Sequence, residues 1–163
     1  MDNERWQAIY DTQSHRILGR LKRGTDVITG LQEICRHYGV TAAQFQCIGS
    51  LDYVTFVQVA RAEEPGKMQY SPVQKTASGV ELVTGTGFIG LNGETNELDT
   101  HMHGAFVDCD LQFNAGHFLA GGCPTYATVE YIIHVVQNAE VKRKLDDQLQ
   151  VPFFQFAQKE EQR

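Results

Sequence analysis

His101-Met102-His103, with His117 about one hairpin further along, is the set of residues in this chain best suited to chemistry. In an extended strand alternate side chains share a face, so His101 and His103 point the same way. A strand returning through Gly116-His117-Phe118 brings in a third imidazole. Three neutral imidazoles with an open fourth position suit Zn²⁺ or another borderline divalent metal. The competing reading is that histidines on a half-exposed strand hydrogen-bond to water or to neighbouring backbone. Cys109 and Cys123 are second-choice ligands by proximity in sequence, although core packing is the stronger expectation for both.

A metal held by three histidines can lower the pKa of a bound water to about 7 and make hydroxide available at neutral pH. Such chemistry needs a general acid or base, for which Glu81, Asp108 and Glu130 are the candidates. Each also reads as a surface charge or a structural hydrogen-bond acceptor. One functional class is therefore a metal-dependent hydrolase or lyase acting on a small molecule. The other is a metal-binding or sensing module that acts through a macromolecular partner. Gly85-Thr86-Gly87-Phe88-Ile89-Gly90 spells G-x-G-x-x-G, but a dinucleotide site requires a helix opening at that loop. Here the sequence runs on into Asn92-Gly93-Glu94, a turn, so the glycines are expected to serve bulges or close backbone packing in a long strand.

Charge narrows the partners. The formal net charge is −6, and the stretch from Thr76 to Val141 contains neither Lys nor Arg. That half of the chain should attract cations and repel phosphate backbones. The basic residues cluster at Arg16, Arg20, Lys22 and Arg23, and again at Lys142, Arg143 and Lys144. Both clusters are candidate phosphate contacts, Arg16, Arg20, Lys22 and Arg23 foremost, against the plainer reading of a solvated face for each. With 42% hydrophobic and 21% charged residues the composition is globular. No apolar run approaches the ~18 residues of a membrane span. A polar start without a signal-like apolar core, and four cysteines without a C-x-x-C, point to a cytoplasmic protein with free thiols.

The elements that must position the histidines follow from pattern. Residues 15–22 alternate as a first strand, with Ile17, Gly19 and Leu21 on one face. Thr25 is placed to cap a helix over about residues 26–38, and Gly39 to end it. Strands are expected over 45–48, 53–60, 67–74, 80–91, 100–107, 117–121 and 127–136, separated by turn signals that include Glu64-Pro65-Gly66. A short helix is expected over 139–149, with Glu140 and Lys144 spaced as an i,i+4 pair. The apolar tail from Val151 to Phe156 should pack on the sheet or on a neighbouring subunit. The expected architecture is a single α+β domain: a largely antiparallel β-sheet with an early helix packed on it and a short C-terminal helix. Residues 1–14 form an N-terminal arm, 15–138 the domain, and 139–163 a C-terminal helix and tail.

The order of these pieces resembles the PPC ("plants and prokaryotes conserved") domain family, prokaryotic branch. Arg20-Leu21-Lys22-Arg23-Gly24-Thr25-Asp26-Val27 is similar to the family's opening, Ile48-Gly49-Ser50-Leu51 to its I-G-[SA]-[LV], and Glu81 to Gly87 to its E-[ILV]-x-x-x-x-G strand. His101-Met102-His103 corresponds to its H-x-H, Ala115-Gly116-His117-Phe118 to its G-G-H-L, and Thr128-Val129-Glu130 to its T-x-E strand. Leu111 stands where the family commonly has a hairpin glycine, which puts the shape of that turn in question. The resemblance implies a homotrimer with a metal, zinc by donor type, at His101, His103 and His117. It also implies a regulatory role with DNA or a transcription factor as partner, although the acidic balance opposes DNA. The arginine-glycine hook that plant relatives carry ahead of this domain has no counterpart in the sequence. A histidine-bearing strand is also similar to the first cupin motif, with Asp108 for the acid and Gly116 for the glycine. The spacing differs and the second motif is missing after Pro124, so a cupin-like metalloprotein is the minor alternative.

Overall fold

Alternation along residues 16–22 has its expected effect. In a computed structural model describing residues 1–64 and 67–159, β2 (Arg16–Lys22) buries Ile17 and Leu21 and exposes Leu18. Pro65-Gly66, part of an expected turn, and the last four residues of the tail lie outside the described residues. Residues 6–11, read as part of an arm, form β1 (Trp6–Asp11), which pairs antiparallel with β2.

Gly24, at φ +79°, turns the chain into α1 (Val27–His37), whose residues Val27, Leu31, Ile34 and Cys35 form a fully buried stripe. The cap is Asp26 and not Thr25. The Asp26 carboxylate accepts from the Thr29 N–H at 3.0 Å and from the Cys123 N–H at 2.9 Å. Thr25 is buried instead, its hydroxyl donating to the Arg5 carbonyl at 2.9 Å. Gly39, at φ +67°, ends the helix. Asp26→Ala removes both bonds at once and is expected to cost about 1–2 kcal/mol, read as a lower urea midpoint at an unchanged m-value.

The sheet is assembled from β3 (Ala43–Leu51), β4 (Thr55–Val57), β7 (Gln74–Lys75), β8 (Val80–Asn92), β9 (Leu98–Asp108), β10 (Phe113–Phe118) and β11 (Thr125–Val135), together with the first hairpin. Its order is β1-β2-β11-β3-β8-β9-β10-β4-β7, and neighbours along this path are antiparallel. A small separate pair, β5 (Val59–Ala60) and β6 (Gln69–Tyr70), stands beside it. One face meets α1 over a core that includes Leu21, Leu31, Ile34, Phe45, Met102 and Ile133. There Gln32 Nε2 donates to Thr100 Oγ1 at 3.1 Å, tying the helix to β9. On the other face Ile9, Leu18, Ile48 and Val83 are exposed.

The glycines of the G-x-G-x-x-G stretch lie inside β8. A Cβ on Gly85 would sit 2.5 Å from Met102 Cε, and one on Gly87 would sit 1.9 Å from the His101 carbonyl oxygen. Close strand packing is their role, as expected. Gly49, at φ +148°, marks the bulge where the register of β3 slips against both β11 and β8.

The C-terminal expectation is corrected. Residues 139–149 do not form a helix: β12 (Ala139–Leu145) pairs antiparallel with β13 (Pro152–Gln158) and, through Lys142 and Arg143, runs parallel to the end of β8. The helix-favouring residues are overridden by non-local contacts. Val141 is buried, and Lys142 pairs with Glu140 at 3.0 Å across one strand face. Arg143 sits between the Asp99 carboxylate and the Phe154 ring, its guanidinium carbon 4.5 Å from the ring centre. The result is an α+β fold with a mostly antiparallel sheet and, among the described residues, one helix.

The turn from β9 to β10 also answers a question left by the sequence. Asp108 shapes it, its carboxylate accepting from the N–H groups of Asp110 at 3.0 Å and Gln112 at 2.9 Å. Leu111 is forced to φ +58° with its side chain 83% exposed. A left-handed conformation strains a leucine and not a glycine. Leu111→Gly is therefore expected to stabilise the protein by roughly 0.5–1 kcal/mol, seen as a higher thermal midpoint. No helix among the described residues is long and apolar enough to cross a membrane.

Candidate metal centre

His101 and His103 lie two apart on β9, and His117 of β10 is directly opposite His103 in the antiparallel register. Met102, between the two, points the other way and is fully buried. That inward anchor fixes both histidines on the face away from the helix. One potential ligand atom from each of the three rings lies within 4.8 Å of the others. The ring centres are 4.9 Å apart for His101 with either partner and 5.4 Å for His103 with His117.

His101 Nε2 and His103 Nε2 face each other at 3.1 Å. Tetrahedral zinc with Zn–N bonds of about 2.0–2.1 Å has nitrogen–nitrogen edges of roughly 3.3 Å, so the pair fits such an ion. His117 Nδ1 is buried and has no hydrogen-bond partner among the described residues. Burial pushes the His101 pKa down to about 4, reinforced by repulsion from His117 and His103. Burial also lowers His117, with His103 next in effect. Both rings are thus kept neutral near pH 7, the form that binds metal. Asp99 and Arg143 act on both rings in opposite senses, the carboxylate favouring the protonated form. Those two are in ionic contact at 2.7 Å, Nε to Oδ2, without the angle of a hydrogen bond.

The histidines form the floor of a cleft of about 320 Å³. Its walls are Val57, Val59, Met68, Tyr70 and Phe153, with the Gln58 amide beside them. The amide of Gln58 is held by the Ala115 carbonyl. Sequence reasoning missed these walls. They come from β4, β5, β6, β13 and the segments between, and only the apolarity of the Phe153 segment signalled that it had to pack somewhere.

The carboxylates proposed from sequence are placed elsewhere. Glu81 is exposed on β8, Asp108 is committed to the β9–β10 turn, and Glu130 accepts from the Thr128 hydroxyl at 2.6 Å. None of the three lines the cleft. The cysteines are likewise outside the cluster: Cys109 is exposed, with Ser78 Oγ 2.7 Å from its sulfur, and Cys123 is buried, its thiol pushed up to about 12 by desolvation. Of the basic residues, Arg16 and Arg20 are exposed on β2, Lys22 bonds to the Asp2 carboxylate, and Arg23 lies over the Tyr126 ring at 5.4 Å. In the sheet order β2 is separated from β9 by β11, β3 and β8, so the basic strip and the histidines occupy different regions.

An antiparallel sheet with one covering helix and a histidine triad across two paired strands defines a recognisable architecture. A protein from Bacteroides thetaiotaomicron, described as a candidate DNA-binding protein, superposes with a TM-score of 0.78 at 15% identity, over 94% of this chain and 99% of the other. Another candidate DNA-binding protein, from Ralstonia eutropha, gives 0.75 at 21% identity over 91% and 94%. A metal-containing protein from Archaeoglobus fulgidus gives 0.71 at 15% identity over 95% and 99%. Among curated proteins none matches. The Plants and Prokaryotes Conserved (PCC) domain model matches residues 9–137, and the chain belongs to that family.

Proposed function

We propose that this protein is a metal-binding module in which His101, His103 and His117 hold one divalent cation. The convergence of three imidazoles within 4.8 Å carries the reading. Their all-nitrogen donor set suits zinc, as it does other borderline divalent ions, and a bound zinc would keep a coordination position for water or a ligand. The similarity to a metal-containing protein supports this reading. Metal analysis of tag-free protein by mass spectrometry tests it. About one zinc per chain is expected, and protein that carries no metal and fails to bind added Zn²⁺ would overturn it.

The module is read as a homotrimer with a regulatory role. The exposed Ile9, Leu18, Ile48 and Val83 on the sheet face away from the helix support self-association. The buried free thiols Cys35, Cys47 and Cys123 suit a reducing, cytoplasmic setting. Light scattering at the column exit gives the assembly directly, and a monomer at micromolar concentration would reject it.

A second reading, association with DNA, is favoured by the descriptions of two structural neighbours. Exposed Arg16 and Arg20 would be its main phosphate contacts. Binding through them should weaken steeply with salt, and salt-independent binding would reject those contacts. A metal-dependent hydrolase or lyase gains less support, because the carboxylates considered for it lie outside the cleft.

A further inference from the structure

We propose that the cleft above the histidines binds a small organic anion with an apolar body. Its anionic donor would fill the open position of the metal, and its body would lie against Val59, Met68, Tyr70 and Phe153. The inference rests on the metal reading above and adds the class of ligand.

Charge argues for the anion. Three neutral imidazoles around a divalent cation leave two positive charges uncompensated, and a partly desolvated site makes that costly. Among the described residues that line the cleft there is no Asp or Glu to neutralise them. The acidic group that acts on the rings, Asp99, is already engaged by Arg143. An anionic donor brought by the ligand supplies the missing charge.

The walls argue for the apolar body. At about 320 Å³ the cleft has the size of a small-molecule site. Val59 is 68% exposed and Tyr70 39% exposed, apolar surface that the fold itself does not cover. The Tyr70 ring lies 5.9 Å from that of His117, centre to centre, so one aromatic wall rises directly from the metal ligands. The absence of Lys and Arg from the described lining argues against phosphorylated ligands, which need cationic or multiple N–H partners beyond one metal. Gln58 adds a neutral polar side chain that can orient a ligand.

The test uses the full-length protein loaded with Co²⁺, whose visible bands report a change of metal ligand without any assumed activity. Phenylacetate and acetate, the same donor with and without an apolar body, are titrated at pH 7. Phenylacetate should bind about tenfold or more tightly than acetate. Phe153→Ala should remove most of that preference while leaving Co²⁺ and acetate affinity unchanged. Tyr70→Ala, at an exposed position on a short edge strand, gives the same readout should Phe153→Ala disturb the C-terminal hairpin. Failure to take up Co²⁺ would overturn the metal reading and this inference with it. Co²⁺ uptake with equal affinity for the two acids, or with a preference indifferent to both wall variants, would overturn this inference alone.

Discussion

The His101→Ala/His103→Ala double variant should bind Zn²⁺ at least about a thousandfold more weakly than the parent and remain folded. Structural zinc sites are worth about 10–16 kcal/mol in total, so deleting two of three protein ligands removes several kcal/mol. The fold should tolerate the change. His103 is exposed and His101 half-buried, and both point away from the core that Met102 enters. Neither ring has a hydrogen-bond partner that the sheet depends on; they face each other. Competition against a chromophoric chelator measures the affinity, and circular dichroism checks the fold. A variant that keeps parental affinity would move the metal away from this triad.

Gly87→Val should be the most damaging single change, lowering stability by about 3 kcal/mol or more. Even the Cβ alone would be placed 1.9 Å from the His101 carbonyl oxygen, against backbone that cannot swing aside as a side chain can. Gly87 lies opposite Met102, and the neighbouring registers, Thr86 with His103 and Phe88 with His101, set the positions of the two histidines. The chain would have to part β8 from β9 where the histidines are aligned. Insoluble protein, or a urea midpoint far below that of Leu111→Gly, is the expected result. A midpoint equal to the parent's would show that the two strands can separate there without penalty.

Much of this site was legible in the sequence because it rests on local rules. Alternation put His101 and His103 on one face, and hairpin spacing brought back His117. The α1 stripe was equally plain, since Val27, Leu31, Ile34 and Cys35 recur at helical period. The cap was misplaced by one residue because Thr25 and Asp26 are both good capping types, and tertiary bonds tell them apart: Cys123 N–H to Asp26, and the Thr25 hydroxyl to the Arg5 carbonyl. Residues 139–145 failed for a deeper reason. Their local preference is helical, but Val141, Arg143 and Phe156 find partners on the distant strands β8 and β9, at Gly90, Asp99 and Phe88. The cleft walls were out of reach for the same cause: Val57, Tyr70 and Phe153 become neighbours only through folding.

That last wall has a wider consequence. The family match ends at residue 137, after all three histidines, whereas Phe153 belongs to β13, which follows it. In the proposed reading the ion is held wholly within the matched residues, while one wall of the ligand cleft is supplied by the segment that follows them. A chimera that keeps residues 1–137 and exchanges the terminal hairpin could alter selectivity without rebuilding the coordination sphere. On that reading the terminal hairpin is one place where ligand preference can change while the histidines stay as they are.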